Sequence, residues 1–266
     1  MEVISLFGSI FLRPAKAILI AAVVFIPFER LGALHPKQRI LRKGFATDVL
    51  TGLMNGFLLY AALLISLGKV DAVAAAWIPN LRLWMTAQPL WAQAMVAVVL
   101  GDLGIYGSHR LVHTLPWLWR FHAIHHSAEE LDWLVGFRFH PVDLFLLDVA
   151  SLGPLIALNL SPVAIGIFIS VYGWQSSLVH ANLRFRYGPF RWLLVSPEFH
   201  HWHHSAERAA RDRNYASVLS FWDVLFGTVY LPRGIQPSGY GVDERVPAGW
   251  KDRLIYPLKR QRMPQA

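Results

Sequence analysis

From residue 142 to residue 179 the chain carries only two charged side chains, Asp143 and Asp148, and is broken at its middle by NLSP (159–162). Crossing a bilayer takes about 20 mostly apolar residues. The stretch is therefore long enough for two passes, with NLSP as the turn between them. Three further apolar runs lie at 17–34, 45–67 and 91–108. The first is short and contains Pro27, Glu29 and Arg30, so it either spans or lies in the interface. Composition agrees, with 55% hydrophobic and only 16% charged residues and a mean hydropathy of +0.37, values unusual for a soluble globule. The fold expected is all-α: a polytopic membrane domain of about four transmembrane helices, with no flexible linker to divide residues 1–266.

Charge orients the helices. Lys37, Arg39, Arg42 and Lys43 precede the second run, and Arg110, Arg120, Arg138, Arg184, Arg186 and Arg191 follow later ones. The net charge of +8 is thus placed as the positive-inside rule requires, not as a groove for phosphates, and nucleic acid is not the expected partner. On this reading residues 69–90 form an outer or re-entrant segment, and everything from 180 onward is cytoplasmic. In a bacterium that means the inner membrane. The N-terminal run, followed by Arg13 and Lys16, does not read as a cleaved signal. Cysteine is absent, which excludes disulfides, cysteine-ligated clusters and CxxCH haem attachment.

The chemistry sits in the histidines. Of twelve, all but His35 fall between 109 and 204. HRLVH places His109 and His113 at i and i+4, about 40° apart on one helical face. HAIHH places His122, His125 and His126 at i, i+3 and i+4. HHWHH repeats that spacing with His200, His203 and His204 and turns His201 away. Clustered imidazoles in an apolar protein need something to bind them. Eight exceed the coordination number of one ion and suit two. Nitrogen-only donors favour iron, zinc or copper over magnesium and calcium. The single histidines, His140 and His180, read on spacing alone as satisfied core or capping residues.

In chain order, HRLVH, HAIHHS, FRFHP, HANL, SPEFHHWHHS and NYASVLSFWDVLFGTVY resemble the fatty acid hydroxylase / sterol desaturase superfamily of membrane di-iron enzymes. The resemblance covers roughly 95–232. It leaves 1–94 as N-terminal membrane helices and 233–266 as an irregular tail, whose PSGYGV looks like the bacterial and alkylglycerol-monooxygenase-like branches. It implies two non-haem iron ions in a cytoplasmic histidine-rich helical cap, with O2 as co-substrate. It implies hydroxylation of an unactivated C–H bond of a lipid or, with the same centre, desaturation. The ligands it implies are His109, His113, His122, His125, His126, His200, His203 and His204, with His180 as a ninth and His140 as a ligand or a group behind the ligands. The family's third cluster often carries another residue where His201 stands.

Asp102 precedes His109 by seven residues and shares its helical face, so it is a candidate to orient that imidazole. Asn182, Glu198, Asn214 and Asp223 are further candidates. With no nucleotide loop, cluster cysteine or fused haem signature, electrons must come from a separate ferredoxin or cytochrome b5-like donor, docked on arginines such as Arg208, Arg211 and Arg213. Trp117, Trp119, Trp133, Trp174 and Trp192 read as an interfacial aromatic belt, or alternatively as the lining of a lipid path. Two other classes compete. A histidine-rich transporter would hold its ligands at mid-membrane depth, whereas these clusters lie outside the expected spans. A zinc hydrolase usually needs only three protein ligands.

Overall fold

The computed structural model describes residues 2–259. Its helices are α1 (Glu2–Gly32), α2 (Phe45–Trp77), α3 (Pro79–Thr86), α4 (Leu90–Thr114), α5 (Pro116–His126), α6 (Pro141–Ala157), α7 (Pro162–His180), α8 (Pro197–His203), α9 (Phe221–Leu225) and α10 (Trp250–Ile255). Among the described residues there is no β-strand, only the isolated bridges Ala33–Leu183 and Ser205–Tyr240. The chain is all-helical, as expected.

Five of these helices begin with proline, at Pro79, Pro116, Pro141, Pro162 and Pro197. Proline fits the first turn because its missing N–H would be unsatisfied there anyway. Before two of them a serine hydroxyl accepts from the third residue on, Ser161 from Ala164 N–H and Ser196 from Phe199 N–H, both at 3.2 Å. Such caps fix where a helix starts. For the seven-residue α8, which carries HHWHH, the start decides which way each imidazole points.

Among the described residues two helices, α4 and α7, are long and apolar enough to cross a membrane. A third counts only as a bent pair, the C-terminal part of α2 (Ala62–Trp77) with α3, which meet at 104°. The chain is a membrane protein, and its described residues hold two to three candidate spans where about four were expected. The expected run 17–34, within α1, holds Pro27, Glu29 and Arg30. α6 is 17 residues long and carries Asp143 and Asp148. The sharp α2–α3 bend falls in the segment expected to be outer or re-entrant. The NLSP turn forms as expected, with Asn159 in the left-handed region at φ 56°, where asparagine is tolerated.

α6 packs between α4 and α2, and α7 lies against α4. The approach is closest where α4 has glycine. A Cβ on Gly104 would stand 2.1 Å from the Ala150 carbonyl oxygen, and one on Gly101 would meet the Phe168 ring at 2.5 Å. Apolar side chains fill this bundle, among them Ala97, Ile105, Leu147, Leu155 and Phe168. A second cluster, including Tyr106, Val179, Val195, Phe199, Tyr215 and Trp222, joins the ends of α4 and α7 to the segment after α8. Five histidines lie on α4 and α5, His180 ends α7, and α8 with its C-cap His204 brings the rest, so this second cluster locks the histidine-bearing turns together.

Candidate metal centre

The nine implied histidines converge into two groups. His109, His113, His122, His126 and His203 form one, and His125, His180, His200 and His204 the other; within each, the candidate donor atoms all lie within 4.8 Å of one another. The sequence clusters do not map onto these groups. In HAIHH the i,i+4 pair His122/His126 enters the five-histidine group, while the i+3 His125 enters the other. In HHWHH the pair His200/His204 enters the four-histidine group, and His203 crosses to the first. These two boxes therefore serve both groups, whereas HRLVH gives both of its histidines to the first. All nine are buried except His113, whose side chain is still only 5% exposed.

Within the groups Nε2 faces Nε2. His122 Nε2 lies 3.1 Å from that of His109 and 3.1 Å from that of His126. His180 Nε2 lies 3.1 Å from His125, 3.1 Å from His204 and 3.0 Å from His200. The outward nitrogens decide what this means. His109 Nδ1 donates to the Tyr215 carbonyl (2.7 Å), His122 Nδ1 to the Asp143 carboxylate (2.8 Å), His180 Nδ1 to the Ser176 carbonyl (2.6 Å) and His203 Nδ1 to the Arg213 carbonyl (2.8 Å). Each such ring carries its proton outside and turns an Nε2 lone pair inward. His109 and His122, 3.1 Å apart, thus have no proton to share. Buried His113 Nε2 and His203 Nε2 have no hydrogen-bond partner at all.

Burial disfavours protonation at most of these rings. Burial, reinforced by neighbouring imidazoles, holds His125, His126, His200 and His204 well below the usual histidine range, and burial pushes His203 down to about 3. A cation shared by the inward lone pairs relieves their crowding. Imidazole–metal bonds of about 2.1 Å put two donors at right angles about 3 Å apart, the spacing these nitrogens have. The residues fit a pair of metal ions, and an all-imidazole set suits iron, zinc or copper.

The remaining sequence candidates serve other contacts. His140 caps α6, accepting from Val142 N–H at Nδ1 (3.0 Å) and donating from Nε2 to the Leu254 carbonyl (3.2 Å). With both nitrogens used, it stands outside both groups. His201 faces away, bonded to the Ala181 carbonyl and the Tyr240 hydroxyl. Asn182 ties the residues after α7 to the backbone of His35, and Glu198 pairs with Arg186 at 3.0 Å. Asp102 does not touch His109. Its carboxylate accepts from Val218 N–H, Leu219 N–H and Trp222 Nε1. Asp223 accepts from Tyr215 N–H and Ala216 N–H, and Asn214 bonds Phe199 and Tyr230. Together these three hold residues 214–223 so that the Tyr215 carbonyl meets His109. Of the tryptophans, Trp117, Trp174 and Trp192 are exposed, Trp133 is fully buried, and Trp119 lies over His113 and His126 at ring separations of 5.0 and 5.4 Å.

Asp143, the carboxylate behind His122, was not among the sequence candidates, because it lies on α6 and meets His122 on α5 only through packing. Nor were the backbone carbonyls, which carry no sequence signal. A cavity of about 20 Å³ touches both groups, at His109 and His122 and at His125, His180 and His200; Ile105, Phe139, Leu147 and Val179 supply apolar walls.

The chain resembles several characterised proteins. It is 34% identical to the ornithine lipid hydroxylase OlsE of Rhizobium tropici, over 67% of this chain and 54% of that protein. It is 30% identical to human alkylglycerol monooxygenase over 52% of this chain and 30% of that protein. It is 26% identical to the rice very-long-chain aldehyde decarbonylase GL1-8 over 82% of each. The chain thus spans about half the length of the first of these and less of the second. No solved structure matches it. Residues 94–228, which hold all nine converging histidines and the 214–223 buttress, match the fatty acid hydroxylase family, and the chain belongs to that family.

Proposed function

We propose that the chain is a non-haem di-iron oxygenase of the membrane that hydroxylates an unactivated C–H bond of a lipid, using O2 and electrons from a separate donor. The observation that carries this reading is the set of inward Nε2 atoms 3.0–3.2 Å apart, three of which, on His109, His122 and His180, belong to rings whose Nδ1 gives its proton to an outside acceptor. One iron is held by His109, His113, His122, His126 and His203, the other by His125, His180, His200 and His204. Two of the relatives are named for hydroxylation or monooxygenation of lipids, which supports a lipid substrate.

Bound iron supplies the activation of O2 and the oxidation of a C–H bond, chemistry that side chains lack. Everything else falls to the chain. The Tyr215, Ser176 and Arg213 carbonyls and the Asp143 carboxylate fix ring tautomers and orientations. Burial keeps bulk water from the four-histidine group. The small cavity between α4, α6 and α7 marks where the target carbon would meet the centre, because it touches both groups and has apolar walls from Ile105, Phe139, Leu147 and Val179. The centre faces the cytoplasm on this reading, with the exposed Arg208, Arg211 and Arg213 as the docking place for an acidic ferredoxin or cytochrome b5-like donor.

The test is metal content and product mass with detergent-purified protein supplied with iron. Wild type is expected to hold about two irons and to add one oxygen to a lipid. His203→Ala is expected to stay in the membrane, hold less iron and make no product. Full activity in that variant sinks the ligand assignment, and a product lighter by two hydrogens means desaturation instead.

A further inference from the structure

The two histidine groups differ in what reaches them. Beyond the apolar cavity that touches both, a separate cavity of about 290 Å³ is lined by His113, His126 and His203, all from the five-histidine group, and by no member of the other. At its floor, His113 Nε2 and His203 Nε2 are buried without a partner. At its rim stand the carboxylates of Asp212, Asp243 and Glu244 and one guanidinium, that of Arg211. The side chains of Asp212 and Asp243 are 65% and 77% exposed. Asp212 also reaches the floor, 3.3 Å from His113 Nδ1. Glu244 accepts from Trp119 Nε1 at 3.1 Å, and the Trp119 ring lies over His113 and His126. Three carboxylates around one guanidinium leave a net negative rim on a chain of charge +8.

We propose that this acid-rimmed mouth is the loading port through which a divalent metal ion reaches the five-histidine group, and that the four-histidine group exchanges its ion more slowly by another path. The inference rests on the reading of the histidines as metal ligands. Carboxylates with water hold a divalent cation loosely, and imidazole nitrogens of a preformed site hold first-row ions more firmly, so an ion captured at the rim passes downhill to the floor. A concave negative mouth also raises the local cation concentration and the capture rate, by about 10- to 1,000-fold where such focusing is strong. The neighbouring ion pair Arg211–Asp243, at 2.6 Å, closes part of the rim and must open as a cation enters.

The test strips detergent-purified protein with a chelator and reloads it with Co²⁺ alone, followed by the visible absorption of imidazole-bound cobalt. Wild type is compared with Asp243→Asn/Glu244→Gln, neither of which contacts a histidine, and with a triple variant that adds Asp212→Asn. The expected result is two phases in wild type, of about one ion each. The fast phase should slow at least threefold in the double variant, with the slow phase and the final stoichiometry unchanged, and further in the triple, where Asp212 also stands behind His113 and the final stoichiometry is not the readout. The difference should shrink as salt rises, because exposed charges are screened. A fast phase within twofold of wild type in both variants, or equal slowing of both phases, overturns the port while leaving the centre in place. No uptake by any of the three proteins overturns the ligand reading and the port with it.

Discussion

A histidine in this centre is defined as much by what stands behind it as by what it faces. His122 shows this most sharply, since it meets His109 and His126 on its inner side and the fully buried Asp143 on its outer side. Groups behind metal-bound imidazoles fix the tautomer and raise the ring's basicity, and losing one typically costs about 10- to 100-fold in metal affinity. Asp143→Ala is therefore expected to weaken binding at the five-histidine group by that factor. Asp143→Asn, which keeps a neutral acceptor, should lose less. Chelator competition on the purified variants checks both, and an affinity equal to wild type in the alanine variant would remove Asp143 from the centre. At this scale the sequence was readable where periodicity carries the signal. Eight of the nine converging histidines stand out by i, i+3, i+4 spacing. His180 does not, because one imidazole at a helix end has no spacing to read and was placed only by resemblance. Nor was the division of HAIHH and HHWHH between two groups, which depends on how α5 and α8 meet rather than on either alone.

Among the elements, α4 bears the heaviest demands. One helix carries His109 and His113, the Asp102 anchor for residues 218–222, and the glycines that let α6 and α7 come close. Two substitutions on it should have opposite signs. At Gly104 a Cβ would meet the Ala150 carbonyl oxygen at 2.1 Å and Ser151 Cα at 3.0 Å. Backbone cannot yield as a side-chain tip does, so Gly104→Ala must push α4 from α6, a strain of about 1–3 kcal/mol that also shifts the helix bearing Asp143. At Gly107 nothing lies within 4 Å, and alanine there should stabilise the helix by about 0.5–1 kcal/mol. Thermal unfolding in detergent should show a lowered transition with reduced iron occupancy for Gly104→Ala, and an unchanged or raised one for Gly107→Ala. Equal behaviour of the two would mean that the close approach does not matter. The existence of these helices was legible, since apolar runs, the NLSP turn and proline starts are local signals. Their status as spans was less so. The charges of the first run, Glu29 and Arg30, left open whether it spans or lies in the interface, and the segment after Trp77 was read as outer or re-entrant without its 104° bend.

Across the whole molecule, one buried carboxylate joins parts of the chain that no motif connects. Asp48, near the start of α2, is fully buried and meets Arg42 at 2.9 Å, Arg253 at 2.9 Å and Arg138 at 3.3 Å; Arg42 also reaches Asp132 at 2.7 Å. Arg138 continues to the Ile124 carbonyl and the Ser127 hydroxyl, at the end of α5 beside His125 and His126. The tail helix α10, through Arg253, is thereby tied to the turn that feeds both histidine groups. The sequence places these arginines along the chain but not in one cluster, because they come from residues 42, 138 and 253. Burying ions is costly, and such a network need not stabilise more than apolar packing would, yet removing one member leaves uncompensated charge and costs about 3–5 kcal/mol. The asymmetry predicts an order. Asp48→Ala strands Arg138 and Arg253, leaves Arg42 with Asp132 alone, and should lower the unfolding temperature most. Arg253→Met leaves Asp48 with two partners, fills similar volume with apolar atoms, and should cost much less. If the hub also holds α5 in place, Asp48→Ala will lose iron at temperatures below its own unfolding transition, while Arg253→Met keeps it. Iron retention followed alongside unfolding in the two variants separates these cases, and loss of iron only at the unfolding transition in Asp48→Ala would make the hub a tie for the fold alone.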